Sequence, residues 1–467
     1  MSVVILHPDP SRLAYLRQLL PEVDVQKSLV PSIVPKLVIR WGVSDVADPT
    51  GAVVINRAQS MALVSRATEV WRQSMLRLAT GTSFRRYRIY LFDLLPVLVY
   101  RQEIGSRTIV EVNPEGSKEI RDAIALAVRA LHVLGLDFAV VEIHRSSQGR
   151  LGVRTVDVAP KMTKRLANAL VSHVRQRLRE VDLRQTMVVF QKANPAYLDK
   201  VVSIGADPEF MLRDSTTMTM IMASKFFPRE GSVGCDSLFI RGRESGYPLA
   251  ELRPAPSYSP LQLLTNIRIA MELALRLAPF HNVEWCAGSL PFGKFPIGGH
   301  IHFAGVVMSG QLLRALDTYL SVPLLMIENI RTAIVRRAKF GYLGDYRLKE
   351  HGGFEYRTPA SWLVAPDIAL ATLCLAKVVV SEYHLLKRDV FSQAEARTAF
   401  SAGDRKYFAG VFSQLWQDLK ATSTYRLYES ELQNLEDKIS VGWTWSERAD
   451  IRRAWGLRVP RTRFFRN

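Results

Sequence analysis

The chain has 467 residues, 48% of them hydrophobic, and its 62 Lys and Arg outnumber 44 Asp and Glu, which gives a net charge of +18. This length exceeds what one hydrophobic core usually holds, so the composition excludes a disordered chain and predicts two or three folded domains. The positive charge favours anionic partners such as nucleotides, acidic peptides or nucleic acid, and does not choose among them.

The first 195 residues alternate strand-like and helix-like segments, which predicts an α/β domain. Segments rich in Val, Ile, Tyr and Phe predict strands at 3–6, 37–39, 53–55, 87–92, 97–100, 138–143 and 153–158. Apolar residues spaced by three and four predict helices at 58–78, 118–134 and 162–181. A stretch of mixed charge before the next strand places the domain boundary near residue 195.

Residues 196–390 are expected to form an α+β domain, an antiparallel or mixed sheet with helices on one face, because strands and helices come in runs. Strands are predicted at 201–204, 237–240, 249–252, 301–307 and 354–358, and helices at 259–277, 310–331 and 366–386, with a basic loop before residue 350. Residues 391–467 are predicted to form a third part, a polar helical extension with an arginine-rich tail.

Two carboxylates, Asp207 and Glu209, follow the strand predicted at 201–204. On a regular strand they point to the same face, where they repel each other unless a cation neutralises them. A metal ion accounts for the pair, and a solvated acidic loop is the alternative. Glu251, between apolar residues, is a candidate third carboxylate, for which a surface ion pair is the alternative role.

Two histidines, His300 and His302, also share one face of a predicted strand. The preceding Gly298–Gly299 would let the backbone approach a ligand closely. The imidazoles can bind a metal or donate hydrogen bonds to a phosphate. One buried, hydrogen-bonded histidine and one exposed histidine is the alternative.

A carboxylate and a guanidinium, Glu355 and Arg357, repeat the same alternation on a later strand. An arginine beside a metal-binding glutamate suits a bidentate phosphate contact. Basic residues also surround the glycines and aromatics of segment 341–345; they are Arg336, Arg337, Lys339, Arg347 and Lys349. A solvated basic face is the usual interpretation of such density, but the glycines and aromatics favour a phosphate-binding loop.

The sequence lacks the motifs of several other enzyme classes. It has no glycine-rich dinucleotide fingerprint, no Walker-type lysine loop and no nucleophile elbow. The remaining chemistry that suits clustered carboxylates and basic residues is phosphoryl or acyl-phosphate transfer on magnesium.

In their order and spacing, the clusters between Ser203 and Glu382 resemble the phage-type carboxylate-amine ligases (type 2) of the glutamine synthetase-like superfamily. The most specific segments are 205–212, 234–236, 250–256, 298–303 and 340–362. The resemblance implies a glutamine synthetase-like α+β fold. It also implies a reaction in which ATP phosphorylates a carboxylate and an amine attacks the acyl phosphate to form an amide.

The same resemblance implies roles for individual residues. The Mg²⁺ ligands would be Asp207, Glu209, Glu251 and Glu355. ATP would contact His300, His302, Arg337 and Lys339, with the two histidines on metal or phosphate. Arg347 and Arg357 would stabilise the phosphoryl group during its transfer.

The N-terminal region is similar to ATP-grasp proteins in segments 39–42, 87–90 and 134–160. It departs from them at Thr155 and Asp157, where the family has a Glu and an Asn that hold magnesium, and Glu142 stands in for an earlier acid. About ten residues join the predicted helix 58–78 to the next strand, which leaves no room for the nucleotide-covering subdomain. A degenerate scaffold or substrate-docking domain is therefore expected, and an unrelated α/β domain is the alternative.

Two other functions remain open. A catalytically inactive protein of ligase fold could hold nucleic acid or an acidic partner on its basic surface. A phosphotransferase could use the same metal site and release a stable phosphoester instead of an amide. The ligase interpretation predicts small-molecule or peptide carboxylates and amines as partners, does not favour nucleic acid, and leaves the oligomeric state open.

The three widely spaced cysteines, Cys235, Cys286 and Cys374, indicate neither a disulfide framework nor a cysteine-based zinc site. The N-terminus lacks the pattern of a secretory signal, and no apolar stretch is long enough to span a bilayer. The expected location is the cytoplasm, which is the host cytoplasm if the protein is phage-encoded.

Overall fold

The computed structural model describes residues 3–29, 34–193, 200–241, 245–350 and 352–465. By their internal contacts these residues divide into two compact units. One takes in Met1–Asn194 with Phe391–Thr398, and the other Pro195–Val390 with Ala399–Asn467. The three-domain division drawn from the sequence stays a prediction.

A four-stranded parallel sheet opens the first unit, with strands in the order β2-β1-β3-β4. The strands are β1 (Val3–Leu6), β2 (Val23–Gln26), β3 (Leu37–Arg40) and β4 (Val53–Ile55). Helix α1 (Ala14–Leu19) connects β1 to β2. The predicted strands at 3–6, 37–39 and 53–55 are confirmed. The predicted helix 58–78 is wrong in extent: it forms α2 (Ala58–Ala62) and α3 (Ala67–Gln73), and the left-handed φ of Met75, 58°, directs the chain out of the helix.

A five-stranded antiparallel sheet completes this unit, in the order β7-β6-β5-β8-β9. Its strands are β5 (Ser83–Phe92), β6 (Leu95–Glu103), β7 (Val110–Glu111), β8 (Phe138–Ser146) and β9 (Leu151–Asp157). Asp93 and Leu94, both with positive φ, form the two-residue turn between β5 and β6 that matches the twist of paired strands. Helix α4 (Lys118–His132) packs on β8 and β9, and α5 (Lys164–Ala193) packs on β6. The sequence predicted these helices and strands except β7, and α5 continues to Ala193, beyond its predicted end at residue 181.

The second unit is built on an eight-stranded antiparallel sheet whose main path is β12-β13-β10-β15-β17-β16. Its strands are β10 (Ser203–Asp214), β11 (Met220–Ile221), β12 (Val233–Cys235), β13 (Leu249–Leu252), β14 (Val283–Cys286), β15 (Gly299–Ala304), β16 (Tyr346–Leu348) and β17 (Phe354–Tyr356). Strand β10 lies at the centre of the path, and all its residues after Ser203 are buried. The mixed α+β architecture expected for this part of the chain is confirmed.

Helices follow and flank this sheet. They are α6 (Pro260–Leu277), α7 (Gly310–Leu316), α8 (Val322–Ile327), α9 (Ile330–Arg337), α10 (Pro366–Glu382), α11 (Ala394–Ala402), α12 (Arg405–Lys420), α13 (Glu429–Ser440) and α14 (Ile451–Ala454). A π-helical turn, Asp317–Ser321, joins α7 to α8. No described helix has the length and apolar character needed to cross a membrane.

Two predictions for the second unit are wrong in detail. The strand expected at 237–240 lies instead at β12, because the Asp236 carboxylate accepts a hydrogen bond from the backbone N–H of Leu238 and turns the chain. The single helix expected at 310–331 ends at α8, since Glu328 adopts an extended conformation and Asn329 caps α9. The first part of the predicted basic loop is therefore helical.

The helices predicted after residue 391 are confirmed, but the polar character expected of this region is wrong. Trp416, Trp445 and Trp455 are all buried, and α13 packs against α10. The carboxylate of Asp450 accepts a hydrogen bond from the backbone N–H of Trp285 on β14. The C-terminal helices thus contribute to the core behind the sheet.

Candidate active site

The antiparallel register of β10 and its neighbours sets four of the predicted polar residues side by side. Asp207 lies opposite His300 on β15, and Glu209 lies opposite Glu251 on β13. Alternate residues of a strand project to the same face, so these side chains share one face of the sheet. The spacing of two residues between Asp207 and Glu209 therefore places both carboxylates on the face that also carries His300 and Glu251.

The next strands extend this polar face. His302 lies opposite Glu355 on β17, and Glu355 lies opposite Arg347 on β16. Arg357, two residues beyond Glu355, follows on the same face, and its Nε lies 3.1 Å from Glu355 Oε1. Five strands, β10, β13, β15, β16 and β17, therefore contribute to a single polar cluster.

Three ligand atoms of this cluster converge at distances that suit a metal ion. One atom each from Asp207, His302 and Glu355 lies within 4.8 Å of the others. His302 Nε2 lies 3.0 Å from Asp207 Oδ2. Asp207 Oδ1, His302 Nε2 and Glu355 Oε1 are buried and have no hydrogen bond of good geometry with a described residue, although each lies 3.0–3.1 Å from an ionisable group. Carboxylate and imidazole atoms arranged in this way fit a divalent cation such as Mg²⁺ or Mn²⁺.

The negative charge of Asp207 and the positive charge of His300 stabilise each other. Burial would raise the pKa of Asp207, but the facing imidazoles of His300 and His302 outweigh it and hold that pKa far below its ordinary range. Burial opposes charge on His300 as well, yet Asp207, whose Oδ1 lies 3.1 Å from His300 Nδ1, and the charge of Glu209 raise the pKa of His300. An ionised Asp207 is therefore the stable form of this site.

The pKa values of Glu209 and Glu251 are raised, in contrast to that of Asp207. Burial raises the pKa of each to about 7. Glu209 Oε2 accepts a hydrogen bond of 2.7 Å from the backbone N–H of Gly298, and Glu251 pairs with Arg253. Both carboxylates line the same cavity as Asp207 but lie outside the three-atom cluster.

The raised pKa values of Glu209 and Glu251 predict that divalent cations bind in a pH-dependent manner. Each carboxylate takes up a proton as the pH falls through about 7, and the neutral form attracts a cation less. Mn²⁺ affinity should therefore rise between about pH 6 and about pH 8, with protons released on binding. Calorimetric titration in two buffers of different ionisation enthalpy measures both effects, and an affinity constant across this range would contradict the prediction.

Glu355 is fully buried and surrounded by cations. Its Oε2 lies 2.6 Å from Arg347 Nη2 and 2.6 Å from Lys349 Nζ, while Arg357 approaches Oε1. Burial raises the pKa of this carboxyl, but the surrounding positive charges more than offset it and lower the pKa. Glu355 is therefore held in its ionised form.

Two cavities, of about 570 and 560 Å³, adjoin the cluster. The first is lined by most of the predicted site residues: Asp207, Glu209, Glu251, His300, Lys339, Arg347 and Arg357. The second is lined by His302 together with Arg253, Lys349 and the apolar side chains Pro254, Pro256 and Phe303. Asp207, Glu251 and Arg347 line both. The polar cluster thus lies at the boundary between the two cavities.

Arg337, expected to contact ATP, does not reach the site. It is buried on α9, pairs with Glu328 and stacks on the ring of Phe400, 4.5 Å from its centroid. Its neighbour Arg336 lines the first cavity, but donates hydrogen bonds to the backbone carbonyls of Arg357, Thr358 and Pro359. The spacing of the basic residues did not show that Arg336 and Arg337 form the buried last turn of helix α9.

Two residues of the site, Asp236 and Lys294, received no role from the sequence, and both line the first cavity. Lys349 was expected only as part of the basic segment around 341–345, and the structure adds its contact with Glu355. Lys294 follows Gly293 and precedes Phe295–Pro296. These residues favour a loop, and a lysine on a loop was the sequence feature that could have indicated a binding residue. Asp236 directly follows strand β12. Because the sequence analysis placed that strand at 237–240, it could not predict that Asp236 lies at the site.

The two glycines before the histidines have different surroundings. Gly298 lines the first cavity, and a Cβ there would lie 2.2 Å from His300 Nε2. A Cβ on Gly299 would lie 2.5 Å from the carbonyl oxygen of Ala360 and from the ring of Trp362. Gly299 is therefore explained by close packing within the protein, and the expectation that the backbone approaches a ligand stays a prediction for Gly298.

Gly299→Ala should lower the free energy of unfolding by about 1–3 kcal/mol, because the added methyl group collides with a backbone carbonyl and a buried indole. Gly410→Ala is the matched control. Gly410 is exposed on α12 with open space around its Cβ position, so alanine there should be neutral or stabilise by about 0.5–1 kcal/mol. Thermal unfolding of both variants measures the difference, and equal stabilities would contradict the packing argument.

Residues 204–457, more than half of the chain, match the family described as phage phiEco32-like COOH.NH2 ligase-type 2. The match extends well beyond residue 382, where the resemblance seen in the sequence ended. It includes the whole polar cluster and the C-terminal helices α11 to α14. No curated protein matches the sequence.

Solved structures with similarity to this chain include ligases. The ATP-grasp ligase PsnB, complexed with precursor peptide PsnA2 and AMPPNP, is 13% identical over 36% of this chain and 96% of that one, with a TM-score of 0.28. D-alanine-D-alanine ligase from Aeromonas hydrophila is 14% identical over 38% and 99%, with a TM-score of 0.30. A bifunctional glutathione synthetase from Pasteurella multocida is 10% identical over 54% and 50%, with a TM-score of 0.35.

The ATP-grasp-like fold expected at the N-terminus stays a prediction. All three TM-scores are below 0.5, and what the titles name as bound belongs to those proteins. The degenerate character of the N-terminal domain stays a prediction. In that domain Glu142 contacts His144 at 2.6 Å, and Thr155 lies opposite Glu142 on the next strand.

Proposed function

This chain belongs to the phage phiEco32-like COOH.NH2 ligase-type 2 family and is an ATP-dependent carboxylate–amine ligase; we propose that its reaction passes through an acyl phosphate and requires Mg²⁺. One observation carries the proposal. Carboxylates, imidazoles and guanidinium groups from five antiparallel strands meet between two cavities, as two substrates on either side of one reaction centre would require.

The metal ligands in this proposal are Asp207, His302 and Glu355, whose atoms converge without a hydrogen bond of good geometry to a described residue. Glu209 and Glu251 add negative charge from the same cavity. When bound, Mg²⁺ would polarise phosphate oxygens and neutralise their charge. His300 stays between Asp207 and Glu355, 3.1 and 3.3 Å from their oxygens, and orients both carboxylates.

The first cavity is the proposed site of the nucleotide. Lys294, Lys339 and Arg357 place positive charge on its wall, and Phe239 and Phe340, each about half exposed, offer apolar rings. Positive side chains suit phosphate groups, and aromatic faces suit a purine base. The second cavity, with its apolar wall and cationic residues, is the proposed site of the carboxylate substrate.

Arg347 and Arg357 are the proposed partners of the phosphoryl group during its transfer. Both line the first cavity and both contact Glu355. A guanidinium group held beside a metal-binding carboxylate can neutralise the phosphoryl oxygens while the group passes from ATP to the substrate carboxylate, with ADP as the leaving group. The first 195 residues would act as a scaffold or substrate-docking domain, and the basic charge of the chain needs no nucleic acid partner in this proposal.

A test combines product analysis with isotope transfer. The purified protein is screened for ADP release that depends on Mg²⁺ and rises when amines and carboxylates are added together. With an ¹⁸O-labelled carboxylate, an acyl-phosphate route transfers one label to inorganic phosphate, because the carboxylate oxygen stays with phosphorus when the amine attacks.

Release of unlabelled phosphate with amide formation would overturn the acyl-phosphate step. A stable phosphoester product would favour the phosphotransferase instead. Salt-sensitive DNA binding without nucleotide turnover under any substrate pair would contradict the ligase proposal as a whole.

A further inference from the structure

The carboxylate of Glu355 contacts three cationic side chains, of which Arg357 also lies 3.9 Å from a second carboxylate, Asp345. Lys349 Nζ and Arg347 Nη2 each lie 2.6 Å from Oε2, and Arg357 Nε lies 3.1 Å from Oε1. Glu355 itself is fully buried. Three cationic side chains therefore share one carboxylate at the place where the proposed metal site needs that carboxylate.

A divalent cation bound to Asp207, His302 and Glu355 would lie within a few ångströms of these three positive groups. Like charges at that distance repel strongly in a buried setting. The repulsion disappears only if a cationic group moves away or if an anion lies between the groups and the metal. A phosphate group satisfies the second condition, since its oxygens accept hydrogen bonds from Lys and Arg and also bind the metal.

Two of the three cations are free to make this exchange. The side chain of Arg347 is 56% exposed and that of Lys349 is 23% exposed. The backbone of Lys349 is held at the turn between β16 and β17, where its N–H donates a hydrogen bond to the carbonyl of Gly353, and its side chain contacts Glu355. Its side chain lines the second cavity, whereas Arg347 lines both cavities. A rotation about side-chain bonds would bring either group to a phosphate without disturbing the sheet.

We propose that Lys349 is a positioning residue that couples metal and phosphate binding, neutralising Glu355 in the empty site and contacting a phosphate oxygen once the metal takes Glu355. The inference rests on the proposed function of this site and adds a residue and a binding order to it. A divalent cation alone should bind weakly, a phosphate anion should tighten it, and the metal should tighten the anion by the same factor.

Lys349→Gln removes the positive charge and tests the coupling. In the wild-type protein, inorganic phosphate should raise the affinity for Mn²⁺ about tenfold or more, as measured by the electron paramagnetic resonance signal of free Mn²⁺. In Lys349→Gln, Mn²⁺ alone should bind about tenfold more tightly than in the wild type, and the effect of phosphate should shrink to about threefold or less. Lys349→Arg keeps the charge and should restore the wild-type behaviour.

Lys406→Gln is the matched control, because Lys406 is exposed on α12 of the same unit and should leave both affinities unchanged. Equal Mn²⁺ affinity with and without phosphate in the wild type, or coupling unchanged in Lys349→Gln, would overturn the inference even if ligase activity is present. Failure of Mn²⁺ to bind under every condition, phosphate and ATP included, would overturn the proposed function together with the inference.

Discussion

Replacing Glu355 with Gln should lower the Mg²⁺-dependent release of ADP by about a hundredfold or more, because loss of a group that only orients a metal ligand already costs about 10–100-fold. Glu355 supplies one of the three converging ligand atoms and also anchors Arg347 and Arg357. Glutamine keeps the size of the side chain but not its charge, so three cations would remain beside the metal without compensation.

The same substitution should cost at most about 3 kcal/mol of stability, since Arg347 and Lys349 can turn toward solvent. Glu350→Gln is the matched control. Glu350 is exposed, lies close in sequence, and should leave turnover and stability unchanged. Turnover and circular dichroism measured together separate lost chemistry from lost folding, and near-wild-type turnover in Glu355→Gln would contradict the assigned role.

Asp207→Asn should also reduce turnover by about a hundredfold or more, because it removes a proposed metal ligand whose carboxylate lies 3.1 Å from His300 Nδ1 and 3.0 Å from His302 Nε2. It has a second consequence that activity does not report. The pKa of His300 is raised by Asp207 and Glu209 against the effect of burial. Without the charge of Asp207, the desolvation caused by burial is less well offset, so the pKa of His300 should fall.

Histidine ring signals followed by NMR across the pH range measure this shift directly. Asp122→Asn, an exposed change on α4, is the control and should leave the titration of His300 as in the wild type. An unchanged pKa of His300 in Asp207→Asn would show that the Asp207–His300 pair does not exist in solution, whatever happens to turnover.

Most strands and helices could be predicted from the sequence because their apolar periodicity is strong. The errors lie where local interactions override that periodicity. Segment 58–78 has helical spacing, yet the left-handed conformation of Met75 ends the helix early. Segment 310–331 keeps apolar residues at helical spacing and gave no sign of the break at Glu328, which depends on the cap supplied by Asn329.

The candidate site was predictable in part because strand alternation is a local rule. It gave Asp207 with Glu209, His300 with His302, and Glu355 with Arg357 as same-face pairs, and the sheet register then joined the pairs. Helical burial was not predictable from spacing, so Arg337 was placed at the site although it pairs with Glu328. The contact of Lys349 with Glu355 depends on a turn between two short strands and left no mark in the sequence.

A crystal structure with Mn²⁺ and a nonhydrolysable ATP analogue tests the central claim most directly. The predicted result is an anomalous peak within coordination distance of Asp207, His302 and Glu355, about 2.0–2.3 Å from their ligand atoms, with the triphosphate in the cavity lined by Lys339 and Arg357. A metal bound elsewhere, or a nucleotide held outside this cavity, would contradict the account.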